Sequence, residues 1–454
     1  MLGLHHETAA LTSSLTPERL EALQRIIPRA QIDAVLAQTG HACASCRRLP
    51  AWFMVWFLIA LGLCCRDAYR QLFRWLQPFH PGAIPGRSTL CEARKRLGTA
   101  PLRRLAAQVI ELLGRPETPG AFYRNLRLMA LDGFVLNLPD TPENERTFGR
   151  PGSGRAPGAF PQARVLALCE TGSHVLWRWL IKPLCHAEIS MAPFLLRALQ
   201  PDMLLLWDRH FLTHATLRAV RNRRAHLLAR ITTQRVLTPI THLPDGSYLA
   251  KVYPNRADRR RDRRGVLVRV IDYSLDDPNR PGHGERHRLL TTLLDPTLDP
   301  ALTLVGLYHE RWEQELALDE LKTHQRERPV LRSQTPAGVV QEIYALMLAH
   351  YLVRVLMQEA AATQRIDPQR ISFTGALRIL RCRLPECVRA PGETQRWYQR
   401  LVQEIAEEIL PPRRNRINPR VIKQKMSKWP KKRAHHRHPP QPKKLFEDSI
   451  VLCH

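Results

Sequence analysis

LRLMALDGFVLNLP, residues 126–139, is apolar along most of its length yet carries Asp132 near its middle. The run is short, rich in Leu, Met, Phe and Val, and closed by Pro139, which reads as a buried strand. A carboxylate inside such a strand loses hydration and needs a cation or hydrogen bonds to compensate. Two more strand-like runs follow, RVLALCE (164–170) and HVLWRWLIKP (174–183), separated by a turn at Thr171-Gly172. Three consecutive strands predict an antiparallel meander. AEISMAPFLLRALQ (187–200) is helix-like, and DMLLLWDRHF (202–211) is a buried strand closed by a second carboxylate, Asp208. Three strands, a helix and a fourth strand specify an α/β domain with a mixed sheet.

The chain before this domain is helical in pattern. Thr16-Pro17 reads as a cap and first helical position, and Leu20, Leu23, Ile26 and Ile27 form an apolar face. AWFMVWFLIALGLCC (51–65) is shorter than the about 20 residues of a membrane span, and polar RDAYRQ follows at once, so a buried helix is expected. STLCEARKRLG (88–98) is expected as a short helix with a capping box from Thr89 to Glu92 and a stop at Gly98. Arg94, Lys95 and Arg96 make it either a DNA-recognition helix or a basic surface helix of a bundle.

GRPGSGRAPG (149–158) lacks the GK[ST] of a phosphate-cradling loop and reads as a turn joining two strands. Beyond Asp208, HATLRAVRNRRAH (214–226) is helical. HLLARITT, YLAKVY, VLVRVIDY and HRLLTTLLD then run out to Asp295 as a separate β-rich insert. Within it, RADRRRDRRG (256–265) crowds Arg256, Arg259, Arg260, Arg261, Arg263 and Arg264 into a loop positive enough to meet phosphate. Helices dominate from Leu302 to Leu410. From Pro411 to Phe446 there are 13 Lys and Arg and no acid, a disordered or partly ordered tail suited to non-specific DNA contact.

Composition narrows the partner. The 454 residues carry 69 Lys and Arg against 41 Asp and Glu, a net charge of +28. A chain this basic meets a polyanion, with nucleic acid first and an anionic membrane surface second. No polybasic amphipathic helix supports the membrane, and MLGLHHETAALTSS, which lacks a basic stretch followed by an apolar core, is not expected to act as a signal peptide. Ten cysteines, including a lone Cys43-x-x-Cys46, are too sparse for a disulfide scaffold or a paired zinc site. Reduced thiols and a cytoplasmic protein are expected.

YHERWEQELALDELK, residues 308–322, reads as helix. Taken as one continuous α-helix, Tyr308, Arg311, Glu315 and Lys322 share about 60° of arc over roughly 21 Å. Charged surface helices produce such stripes often, so the context decides. Two Asp on strands of one sheet and a Glu on a later helix suit two divalent cations about 4 Å apart. Oxygen ligands favour Mg²⁺ or Mn²⁺. Arg311 and Lys322 would then meet phosphate oxygens, and Tyr308 a phosphate near a strand end.

The Tyr-x2-Arg-x3-Glu-x6-Lys pattern resembles that of DDE insertion-sequence transposases of the insertion-element-four type. ALDGFVLNLPDTPEN (130–144) resembles the first-Asp block of that family, and LLLWDRHF (204–211) the second. TTLLD with LYHERWEQELALDELK resembles the third. CRRLPAWFMVWFLIALGL and EARKRLGTAPLRRL resemble its N-terminal domain. The likeness covers about residues 15–430.

It implies an RNase H-like (retroviral-integrase-like) catalytic domain over 120–210 and 300–390, interrupted by the insert at 211–299. A helical DNA-end-binding domain over 1–110 would precede it, and a helix with the basic tail, 391–454, would follow. It implies Asp132, Asp208 and Glu315 as ligands of two Mg²⁺ or Mn²⁺ ions, with Tyr308, Arg311 and Lys322 beside them. Cleavage and joining of DNA strands at the ends of a mobile element would follow, water being the first nucleophile and a 3′-hydroxyl the later one. Double-stranded DNA, as terminal inverted repeats and target, would be the partner of a homodimer holding two ends. Relatives that cut through a hairpin stack a flipped base on a Trp in the insert. No Trp lies between Trp207 and Trp312, so Tyr248, Tyr253 or Tyr273 would have to substitute. The competing readings are an inactive DNA-binding descendant, a structure-specific nuclease without strand transfer, and a membrane-surface protein.

Overall fold

The computed structural model describes residues 21–42, 49–76, 83–153, 156–278, 283–386, 393–411 and 443–453. Thr16, Pro17, Leu20, Cys43, Cys46 and Cys387, and most of the basic tail, lie outside the described residues. The chain divides into two compact units, Met1–Ala198 with Trp312–Ile409, and Leu199–Arg311 with Leu410–His454.

The helical part of the first unit is organised by the run at 51–65. It forms the helix Ala51–Leu63, and every residue from Phe53 onward is buried. Its partner is Pro336–Gln364, 29 residues long. That helix is long and apolar enough to cross a membrane, but 83% of its apolar window is buried within the protein, so it is a core helix. The two approach so closely that a Cβ on Gly62 would stand 2.3 Å from the carbonyl oxygen of Ala345.

The basic helix runs from Arg87 to Leu97 and stops at Gly98, φ 63°, as expected. The capping box does not form. Gly86 is the N-cap, which leaves Thr89 inside the first turn. Arg94 is buried: it donates to Tyr69 Oη, to Ser333 Oγ (3.2 Å), to the Gly338 carbonyl (3.2 Å) and to Gln341 Oε1 (3.3 Å). Lys95 pairs with Glu92 at 2.7 Å. Arg94 is therefore a packing residue of a helical bundle, not a base reader.

The sheet of the first unit is the expected meander. Leu126–Asn137 pairs antiparallel with Gln162–Glu170, which pairs with Leu176–Pro183. The Gly-rich stretch turns a small hairpin, Gly152–Ser153 against Ala156–Pro157.

In the second unit, Met203–Trp207 lies parallel to His226–Ile231, with the helix His214–Asn222 between them. Antiparallel pairing then continues from His226–Ile231 to His287–Thr291, Val266–Leu275 and Tyr248–Val252. The β-like pieces beyond Asp208 are thus strands. They extend the sheet of the Asp208 strand instead of standing apart from it.

RADRRRDRRG is not a loop throughout, because Arg256–Arg260 is a short helix capped by the Asn255 side chain. Its two acids are engaged locally, Asp258 by Arg264 and Asp262 by Lys251 and Tyr253. Tyr248 and Tyr273 are buried, at 7% exposure each, and their rings cannot stack a base. Tyr253 is half-buried.

Residues 308–322 are not one α-helix, so the single-face arithmetic does not hold. Ala301–Tyr308 is α-helical, His309–Arg311 a 3₁₀ turn, Trp312–Asp319 α-helical and Glu320–Gln325 π-helical. Each change of pitch rotates the later side chains away from the predicted stripe. Tertiary bonds at both ends hold the π turn. Gln325 Nε2 donates to the carbonyls of Gly62 (3.0 Å) and Leu346 (2.9 Å), and Glu320 is fixed as described below.

Candidate active site

Asp132 is half-buried on its strand, and its Oδ1 accepts the Gly133 N–H at 2.8 Å. The two faces of this strand are used differently. Asp132 and Phe134, two residues apart, share one face. The Lys322 ammonium stands 5.9 Å from the centre of the Phe134 ring. On the other face, a Cβ at Gly133 would stand 2.3 Å from Glu188 Oε1, the carboxylate that Arg164 holds at 2.8 Å. Glycine lets the helix Glu188–Leu196 lie that close.

The helix Trp312–Asp319 carries Glu315, also half-buried, and packs against the Asp132 strand. Gln314 sets its level. This buried amide donates from Nε2 to the carbonyl of Ala167 at 3.1 Å, and Ala167 is the residue opposite Asp132 in the ladder. Opposed residues of an antiparallel pair lie about 5 Å apart at Cα. The residue before Glu315 is thus fastened beside Asp132.

A buried ionic cluster anchors the same helix. His174 faces a carboxylate with each ring nitrogen, Glu320 from Nδ1 and Glu313 from Nε2, both at 3.0 Å. Glu320 also meets Arg354 at 3.0 Å and His350 at 3.2 Å. Burial opposes ionisation of Glu320, but Arg354, His174 and His350 outweigh it and hold the carboxyl well below the usual range. Burial pulls His350 below its usual value, against the pull of Glu320.

Asp208, Tyr308 and Arg311 belong to the second unit. Asp208 follows the wholly buried strand Met203–Trp207, is itself half-buried, and caps the turn Arg209–Phe211 through the Arg209 N–H at 2.5 Å. Tyr308 donates its hydroxyl to the Trp207 carbonyl at 3.1 Å, and burial raises its pKa, keeping it a proton donor. The Arg311 guanidinium lies 6.0 Å from the Tyr308 ring centre.

Asp132, the Glu315 helix and Lys322 are therefore brought together on one sheet face of the first unit. Asp208, Tyr308 and Arg311 gather at one strand end of the second. Among the described residues, no group of three His, Cys, Asp or Glu side chains is already assembled as a metal site. The three expected ligands are chemically suited to a hard divalent cation, all being carboxylates with access to solvent. Sequence reading missed Gln314, His174, Glu313, Glu320, His350 and Arg354. Only the close flanking of Glu315 by Glu313 and Glu320 could have hinted at them.

Residues 17–107 match the insertion element 4 transposase N-terminal family, and residues 124–352 match the transposase DDE domain family. Over 406 residues the chain is 29% identical to the transposase InsG for insertion sequence element IS4 of Escherichia coli (strain K12), covering 88% of this chain and 91% of that protein. Among solved structures it resembles the piggyBac transposase of a cryo-EM synaptic complex with hairpin DNA. That likeness has a TM-score of 0.41 and 11% identity over 90% of this chain and 88% of that one.

Proposed function

Because this chain belongs to the transposase DDE domain family, we propose that Asp132, Asp208 and Glu315 are its catalytic carboxylates and hold two Mg²⁺ or Mn²⁺ ions. The protein is a DNA transposase of the DDE type with an RNase H-like α/β fold, and such enzymes work with divalent metal. The observation that carries the residue assignment is the Gln314 bond to Ala167, which seats the Glu315 helix at the level of Asp132.

When bound, the metal ions would activate the attacking oxygen and stabilise the leaving oxygen of a phosphodiester. The chain's own residues supply position and charge. Asp132 sits on a strand paired along nine residues with Gln162–Glu170, which limits its motion. Lys322, over Phe134 on the Asp132 face, offers a cation to non-bridging phosphate oxygens. Arg311 offers a second beside Tyr308.

The DNA partners would be the element's terminal inverted repeats and the target, met by a homodimer with one end per protomer. The excess of positive charge supports a long phosphate contact. The working compartment would be the cytoplasm, at the nucleoid when DNA-bound. The helical N-terminal domain would bind the element ends. The insert proper would begin after Ile231, because the strand ending there pairs in parallel with the Asp208 strand.

The test is a linear DNA bearing the element's own ends, incubated with and without Mg²⁺, with every cut mapped. Asp132→Ala, Asp208→Ala and Glu315→Ala should each lose cleavage and keep specific DNA binding. Mg²⁺-dependent nicking by any one of them rejects its assignment.

A further inference from the structure

We infer that the C-terminal segment 444–453 is a clasp that positions Asp208 through Tyr308. This rests on Asp208 being one of the catalytic carboxylates. The strand Val266–Leu275 has an open edge to fill. Its hairpin partner Tyr248–Val252 pairs only as far as Val270, and the chain's last strand, Ile450–Leu452, takes the edge at Tyr273–Leu275. The pairing extends at both ends, from Asp276 N–H to the Ser449 carbonyl (2.8 Å) and from Cys453 N–H to the Asp272 carbonyl (3.0 Å). Lys444 adds an ion pair to Asp276 at 2.7 Å.

The clasp then reaches the helix Ala301–Tyr308. Ile450–Leu452 packs against it. The Phe446 ring stacks on His309, the residue after Tyr308, with centres 4.4 Å apart and planes at 21°. The other end of the helix is also tied, since the Ala301 N–H donates to Asp245 Oδ2 at 2.9 Å and Arg269 holds that carboxylate. A helix fixed at both ends presents Tyr308 at a fixed point. Its hydroxyl donates to the Trp207 carbonyl, and that carbonyl belongs to the peptide joining Trp207 to Asp208. Fixing that peptide plane fixes where the Asp208 side chain departs. Tyr308 is thus a positioning residue: its proton is committed to the backbone, while a phosphate oxygen would need a donor.

The experiment uses the full chain and two variants, Tyr308→Phe and Phe446→Ala, read by hydrogen–deuterium exchange and by cleavage of end-bearing DNA. The amides of residues 208–211 should exchange about tenfold faster in both, the scale of one lost hydrogen bond. Those of residues 126–137 should not change. The Mg²⁺ concentration for half-maximal cleavage should rise, and Phe446→Tyr should restore both readouts. Phe446→Leu, which keeps an apolar side chain but loses the stack on His309, decides if Phe446→Ala does not fold, and Tyr308→Phe keeps the ring and tests the Trp207 link alone. Unchanged exchange at 208–211 overturns the clasp and leaves the role of Asp208 intact. Full cleavage by Asp208→Ala overturns the catalytic assignment, while the exchange result still judges the clasp.

Discussion

Glu320 lies five residues past Glu315, and it is Glu320 that meets His174, His350 and Arg354. Its carboxyl is held well below the usual 4.5, so the unfolded chain takes up this proton first as pH falls. The stability it contributes is fully present above about pH 4.5 and is lost as pH drops through the folded value. Glu320→Gln should remove that part of the acid dependence in urea unfolding. It should also cost about 3–5 kcal/mol near neutral pH, because Arg354, His174 and His350 lose the buried carboxylate they share. A variant as stable as the parent would contradict this account of the cluster. At Cys64 and Cys65, burial pushes each thiol up to about 12. Neither should react with a thiol reagent at pH 8 in the folded protein, while both should on unfolding. Lys322→Ala should slow cleavage and leave the unfolding midpoint nearly unchanged, which a paired kinetic and urea measurement reads. Beyond the flanking of Glu315 by Glu313 and Glu320, nothing in the sequence signalled the cluster. His174 lies 139 and 146 residues from its two carboxylates, and no local pattern signals a contact of that range.

At the scale of elements, the strands leading to Asp132 and Asp208 were legible because buried residues 128–131 and 203–207 form continuous apolar runs, each ending at one carboxylate. The buried helix at Ala51–Leu63 was legible for a similar reason. What failed was pitch. Residues 308–322 read as a single α-helix because helix formers fill them, yet the 3₁₀ and π segments depend on where tertiary bonds seize Tyr308, Glu320 and Gln325. The capping box at Thr89 failed because Gly86 begins the helix earlier. Gly62 offers the sharpest test of packing. A methyl group there would press on the Ala345 carbonyl, a backbone atom that cannot rotate away. Gly62→Ala should destabilise the protein by about 1–3 kcal/mol, measured by thermal or urea unfolding. An unchanged midpoint would show that these two helices have slack.

For the whole molecule, the net charge of +28 called for a polyanion, and transposase family membership supplies DNA. The run of 13 Lys and Arg between Pro411 and Phe446 is followed by a described segment that returns to the second unit as a strand. Charge and anchoring can therefore be separated. Replacing the Lys and Arg of residues 413–437 with Gln should flatten the salt dependence of DNA binding and spare cleavage chemistry at low salt. Removing everything after Leu410 should flatten it equally and also impair cleavage, because Phe446 and the last strand go with it. The elements that carry Asp132 and Glu315, and the strand that leads into Asp208, were legible. The supports that hold each acid in place were not, because they join residues far apart in sequence. The most direct measurement is a Mn²⁺ titration of the protein bound to its end DNA, followed by electron paramagnetic resonance. Two tightly bound ions are predicted for the parent chain, with ions lost from each of Asp132→Ala, Asp208→Ala and Glu315→Ala. Two ions retained in all three variants would contradict the account.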